Sequence, residues 1–188
     1  MRQPEYPIEP LILNRWSSRA MSGESLTDEE LMPLFEAARW APSSFNAQPW
    51  RFIFAKRETS HWKPLFDLLV ESNQSWANAA AVLVLLISHK VFEHNGKPSA
   101  THSFDTGAAW ENLALEGFAR GLVIHGMQGF DYEKAKVVCN IPDDFQVEAM
   151  IAIGKAGKKE DLLPEMQKKE SPSARKPLSE ITMEGKYQ

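Results

Sequence analysis

Cysteine is nearly absent. The one thiol, Cys139, in a chain of 188 residues excludes an internal disulfide and any multi-cysteine metal site, and it fits a reduced, cytoplasmic setting. Neither sign of charge dominates either: 21 Lys and Arg against 25 Asp and Glu leave a formal net charge of -4. No basic stripe interleaved with aromatics offers itself to nucleic acid. Long apolar runs are also missing. The longest, Ala79 to Ile87, is about half of the ~20 residues that span a bilayer, so it reads as a buried strand. Met1 to Pro10 carries Glu5, Glu9 and three prolines, without the apolar stretch of a signal peptide. The histidines His61, His89, His94, His102 and His125 form no helical ligand pair, so no metal is expected. No Gly-x-Gly-x-x-Gly follows a strand to cradle a pyrophosphate. What remains is one domain with one well-buried core.

The chain is organised around Ala41-Pro-Ser-Ser-Phe-Asn-Ala-Gln-Pro-Trp50. Before it, Thr27 and Glu30 stand at capping-box spacing, and Leu31, Leu34, Phe35 and Ala38 follow at helical intervals. After it, Arg51 to Ala55 is rich in aromatic and β-branched residues and reads as a strand. Pro42 ends the helix and Pro49 precedes the strand, so Ser43, Ser44, Asn46 and Gln48 offer donors and acceptors from a loop held at both ends. Such a loop suits a planar ligand with polar edges, or is an ordinary polar turn. Upstream, Ile8 to Asn14 is a short amphipathic segment leading into Arg15-Trp-Ser-Ser-Arg19. Two guanidinium forks and the Ser17 hydroxyl form a compact anion-binding set, or a solvated charged turn.

Further along, Ser60 is expected to cap a helix running through Val70, with Pro64 near its first turn. Ala81 to Ser88 lacks polar alternation, as does a strand covered on both faces, so helices are expected to sandwich the sheet. His89 to His102 reads as a long polar loop, a candidate flap. Phe104 to Arg120 is a helix stopped by Gly121, with Gly107, Ala108 and Ala109 small enough for close packing. Leu122 to Ile124 is a strand that opens into His125-Gly-Met-Gln-Gly-Phe-Asp131, where two glycines leave backbone amides approachable. Tyr132 to Asn140 is a helix, in which Cys139 reads as core packing, and Val147 to Ile153 is a strand. Lys155 to Glu170 is dense in Lys and Glu and reads as a solvated connector or arm. Ser173 to Leu178 brings a second basic set.

Four of these segments together carry a resemblance. Arg15-x-Ser17-x-Arg19, Ala41-Pro-Ser-Ser-x-Asn46-x-Gln48-Pro-Trp50, Gly121-Leu122 with Gln128-Gly129-Phe130, and Arg175-x-Pro177-Leu178 resemble, in order and spacing, the nitroreductase family of FMN-dependent NAD(P)H oxidoreductases. The likeness runs from about Ile8 to Leu178. It implies an α+β fold, an α/β sandwich with a central mixed, mainly antiparallel sheet flanked by helices, in an intertwined homodimer with FMN at the subunit interface. It implies that Arg15, Ser17 and Arg175 surround the FMN phosphate, that Arg19 lies nearer the ribityl chain and the pyrimidine edge, and that Trp16 stands close by. Ser43, Ser44 and Asn46 would contact the flavin held mainly by the other subunit, with Gln48 a further candidate. Where this chain has Gln128-Gly129 the family often has Glu-Gly, with a backbone amide aimed at flavin N5; the substitution leaves that donor intact.

The implied chemistry is a ping-pong hydride transfer from NAD(P)H through N5 to an electron-poor acceptor such as a nitroaromatic or quinone, with no protein acid or base assigned. The region 155–188 is implied to act as connector and dimer-embracing arm. Two alternatives stay open at this point: the same fold running dehalogenation, flavin fragmentation or azoline oxidation, and a storage or sensor module that binds FMN without turning over NAD(P)H.

Overall fold

The computed structural model describes residues 2–187. Helix α1 (Pro10–Asn14) opens the chain and α2 (Asp28–Arg39) follows it. The second has the expected capping box. Glu30 N–H donates to Thr27 Oγ1 at 3.3 Å, and Thr27 N–H donates to Glu30 Oε2 at 2.9 Å, which satisfies two otherwise orphaned amides. Strand β1 (Trp50–Lys56), helices α3 (Trp62–Phe66) and α4 (Glu71–Ala77), and strand β2 (Val82–His89) come next. The long helix α5 (His102–Ala119), strand β3 (Leu122–Met127), helix α6 (Tyr132–Val138), strand β4 (Phe145–Lys155) and helix α7 (Pro164–Gln167) complete the chain.

The strands form one sheet in the order β1-β2-β4-β3, and every pair among the described residues is antiparallel. This is the expected α+β architecture, a mainly antiparallel sheet flanked by helices. Strand β2 is buried along nearly its whole length because each face of the sheet is covered. Leu83, Leu85 and Ile87 point into a core shared with Leu65 of α3, Trp76 of α4 and Ala135 of α6. Val82, Val84 and Leu86 point the other way, into a core shared with Leu31 and Leu34 of α2 and Leu113 of α5. A strand in that position has no wet face on which to place polar residues. Among the described residues, no helix is long and apolar enough to cross a membrane.

Three local expectations are corrected. Ser60 does not cap a helix through Val70: α3 is a single short turn region behind His61, and the chain breaks at Leu69–Val70 before α4. The break lets Val70 N–H bond to Gly129 O at 3.1 Å and Leu69 bridge to Phe130, a tertiary pairing that helical continuation would forfeit. In α5, the glycine that allows close packing is Gly117, where an added Cβ would stand 2.5 Å from Ile124 of β3, whereas Gly107 faces open space. The segment after Lys155 is not wholly solvated either. Leu162 and Met166 pack on the core below the sheet, and Glu170 is buried; the two apolar residues and one carboxylate are hidden among lysines and glutamates. Residues 171–187 run exposed over the surface.

Candidate functional site

Between α1 and α2 the chain from Arg15 to Ala20 takes no regular secondary structure. Its backbone amides have no ladder to join, and side chains from elsewhere hold it. The Arg15 side chain is largely buried, with Nε 3.5 Å from Glu111 Oε1 of α5 and Nη1 3.5 Å from Ser17 Oγ. Beside it lies Arg2, which no sequence motif singles out. Arg2 Nε donates to Ser173 O at 3.0 Å, and its Nη1 donates to Leu13 O at 2.9 Å and Arg15 O at 2.7 Å. One guanidinium thus ties the start of the chain and the end of α1 to the tail that carries Arg175. Among the described residues Arg175 donates within its own turn, to Ser173 O, Ser173 Oγ and Ala174 O at 3.4, 3.0 and 3.1 Å.

The charges of Arg175 and Arg15 reinforce partial burial in holding Arg2 below the usual arginine range. Three guanidiniums are therefore crowded together, and Glu111 is their one carboxylate partner among the described residues. That donor set fits an anion with several oxygens.

Arg19 faces a different neighbourhood. Its Nη1 lies 3.7 Å from Glu170 Oε2. The other oxygen, Glu170 Oε1, accepts from Ser18 Oγ at 2.6 Å, Arg19 N–H at 2.7 Å and Ala20 N–H at 3.1 Å. Burial works to raise the Glu170 carboxyl, yet those three bonds and the Arg19 charge outweigh it and leave the group below its ordinary range. Ser18 O also faces His125 Nδ1 at 2.9 Å, so Nδ1 carries the proton and the ring is oriented by that bond. The His125 ring lies against Trp76, with centroids 4.5 Å apart. Burial pushes its pKa below the usual histidine range. Trp16, Ser17 and Arg19 are all partly exposed along this segment.

The loop after α2 is a strained piece of backbone. Phe45, Asn46 and Gln48 have φ of 51°, 53° and 48°, the left-handed region that costs a side-chain-bearing residue roughly 1–2 kcal/mol. Ser43 Oγ accepts from Gln48 N–H at 3.0 Å, Gln48 Nε2 donates to Asn46 O at 3.1 Å, and Ser44 N–H donates to the buried Asp105 Oδ2 at 3.0 Å. Phe45 is nonetheless 84% exposed, touching Phe92 of the 90–101 turn edge-on with centroids 5.7 Å apart.

The structure brings Arg15, Ser17 and Arg175 into one neighbourhood and places this loop elsewhere on the same chain. The loop meets α5 at Asp105 and Arg15 meets it at Glu111, about 9 Å further along the helix axis at ~1.5 Å per residue. Gln128 and Gly129 follow β3, and no hydrogen bond among the described residues takes up their N–H groups. Gly129 O is fixed by Asn73 Nδ2 at 3.0 Å, and a Cβ at Gly129 would stand 2.7 Å from that amide. Gly126 lies against the Trp110 ring, 3.2 Å from where a Cβ would be. Among the described residues no group of His, Cys, Asp and Glu could hold a metal ion.

Arg2, Asn73, Asp105 and Glu170 thus support these segments without having been legible beforehand. Asp105 and Glu170 could have been found only as carboxylates that the fold buries, and Asn73 sits in a chance match to a glycosylation sequon.

Comparison with known proteins gives a consistent picture. The nitroreductase family pattern matches residues 12–155. Protein DrgA of Synechocystis sp. is 31% identical over 156 residues, 69% of this chain and 74% of DrgA. MhqN of Bacillus subtilis, named as a candidate NAD(P)H nitroreductase, is 25% identical over 173 residues, 75% of this chain and 84% of MhqN. A crystal structure described as an oxidoreductase containing FMN superposes with a TM-score of 0.95 at 43% identity, covering 100% of this chain and 96% of that one.

Proposed function

Because the chain belongs to the nitroreductase family, we propose that it is an FMN-dependent oxidoreductase that takes a hydride from NAD(P)H and delivers it to an electron-poor acceptor such as a nitroaromatic or a quinone. The observation that carries this reading is the crowding of Arg2, Arg15 and Arg175 with a single carboxylate among them. A phosphate monoester has about -1.5 to -2 charges at neutral pH and accepts several charge-assisted hydrogen bonds. The residues present fit such a group, with Ser17 as a short neutral donor and Arg15 already oriented by Glu111.

Bound FMN supplies the hydride acceptor and donor, while the protein supplies binding, orientation and electrostatics. Arg15, Arg175 and Ser17 would hold the phosphate end, and Arg19 would face the ring, where a cation favours the more negative, reduced state. The free N–H groups of Gln128 and Gly129 are donors of the kind the reacting edge requires, kept in place by the Asn73 bond to Gly129 O. Donor and acceptor would use one pocket in turn, by a ping-pong sequence.

Ser43, Ser44, Asn46 and Gln48 would serve the flavin of a neighbouring subunit. Two observations support that assignment: the loop meets α5 about 9 Å along the helix from the partner of Arg15, and it holds Phe45 at a positive φ and 84% exposed, with only an edge-on contact to Phe92 and a looser one to His94 among the described rings. Strain of this kind persists where a site requires it.

Denaturing the purified yellow protein and chromatographing the released cofactor tests the reading, with FMN expected. FAD, or no flavin after reconstitution, overturns it. Anaerobic mixing with NADH or NADPH should then bleach the flavin absorbance; a flavin that stays oxidised would assign the chain to storage or sensing.

A further inference from the structure

The carboxylate of Glu170 is spent in a way that a structural tether does not need. It reaches back 151 residues to Arg19 and takes two backbone amides and the Ser18 hydroxyl on one oxygen. A neutral acceptor could take the same donors, with weaker bonds. The second oxygen is buried without a hydrogen-bond partner, its nearest cation being the Arg19 guanidinium at 3.7 Å. Burying a carboxylate costs several kcal/mol unless charge and hydrogen bonds offset it. A half-satisfied one beside a partly exposed arginine is retained for its charge.

From this geometry we infer that Glu170 is a positioning residue for the flavin site: its Oε1 fixes the path of Ser18 to Ala20, and its Oε2 offsets part of the charge that Arg19 presents to the cofactor. The inference rests on the reading of Arg19 as a flavin contact. The two oxygens have separable duties. Oε1 sets where the Arg19 backbone runs, which governs affinity for FMN in either redox state. Oε2 sets how much positive potential reaches the ring, which governs the difference between the oxidised and reduced states.

Glu170→Gln and Glu170→Ala distinguish the two. Glutamine keeps an acceptor at the Oε1 position and removes the charge, so oxidised FMN should bind within about twofold of wild type by flavin-fluorescence titration. Reduced FMN should bind about tenfold more tightly relative to oxidised FMN, read as a rise of about 30 mV in the two-electron midpoint potential. Alanine removes both and should weaken binding of oxidised FMN at least tenfold; if that variant does not fold, the glutamine arm decides by itself. An unchanged potential in Glu170→Gln with FMN bound overturns the charge-balancing role. Equal losses of affinity in both variants reduce Glu170 to a tether and also overturn it. Wild-type protein that binds no FMN removes the reading beneath the inference, an outcome distinct from the other two.

Discussion

Arg175 sits on a tail exposed to solvent, hydrogen-bonded among the described residues within its own turn, and its worth depends on what it faces. As a phosphate ligand it should contribute about 1.5–3 kcal/mol to FMN binding, the scale of a hydrogen bond to a charged group. Arg175→Ala is therefore expected to lower flavin affinity by that amount with the thermal midpoint of the apoprotein unchanged; calorimetric titration with FMN checks it, and an unaltered affinity would return the residue to the solvent. His125 makes a pH prediction. Its folded-state pKa is lowered, chiefly by burial, so protonation favours the unfolded chain. The stability that neutral His125 confers is full above the unfolded value of about 6.5 and is lost as pH falls below it toward the depressed folded value. Melting temperatures measured from pH 7.5 to 5 should fall in wild type and fall less steeply in His125→Gln, while parallel curves would show that another group governs the window. Arg15, Ser17 and Arg19 could be read as an anion set from residue type and spacing, and Arg175 was joined to Arg15 and Ser17 only by the family resemblance. Arg2 could not, because nothing near it in sequence shows that its guanidinium reaches Leu13, Arg15 and Ser173.

At the scale of elements, α5 packs closely against β3. Gly117 is there because Ile124 of β3 occupies the space a Cβ needs, at 2.5 Å. Gly117→Ala must displace Ile124 or the helix, and overpacking of that kind costs about 1–3 kcal/mol. Urea denaturation should show a lower midpoint with an unchanged slope. Gly107→Ala is the control. It has no neighbour within 4 Å of the added carbon and, by helix propensity, should be neutral or stabilising in the isolated subunit. The element boundaries that could be read from sequence were those set locally: the Thr27–Glu30 capping box, and Gly121, whose φ of +76° stops α5. The break between α3 and α4 was not legible, because its cause is Gly129, about sixty residues away in the chain.

For the whole molecule, the consequential prediction is a homodimer. Phe45 within the Ser43–Gln48 loop, Trp40 at the end of α2 and Phe104 next to Asp105 are 84%, 72% and 80% exposed, an unusual amount of bare aromatic surface for a subunit that works alone. Light scattering should give twice the chain mass, with an interface in the ~2,000–5,000 Å² class of obligate dimers. Of the expected arm, residues 171–187 are the part that runs exposed and can meet a partner, although Ser173 O accepts from Arg2 and Leu178 N–H donates to Glu5 Oε1 within the chain; Leu162, Met166 and Glu170 are packed into their own subunit. Mixing Arg175→Ala chains with Asn46→Ala chains should then regenerate, in heterodimers, one site with neither lesion, read as recovered tight FMN binding. A monomer that binds FMN tightly would mean that each site comes from one chain.

What the sequence determined by itself were properties that act over a few residues. Helix caps and stops, the unalternating β2 strand, the scarcity of cysteine, and the order of four short motifs are all written in neighbouring side chains, and they suffice for the fold class and the family likeness. The tertiary structure decided which distant groups meet. Glu170 looks like one more acid in a run of Lys and Glu, Asn73 like a chance sequon, and Arg2 like a stray charge near the start, until folding places each within hydrogen-bond reach of a distant backbone group. Their roles come from contacts across 151, 56 and 171 positions, and periodicity and propensity carry no information at that range. Burial likewise made the difference between two carboxylates of equal appearance: Glu111 stays partly open beside Arg15, while Glu170 is enclosed beside Arg19. Only the enclosed one is in a medium where its charge carries to a neighbour with little screening from water.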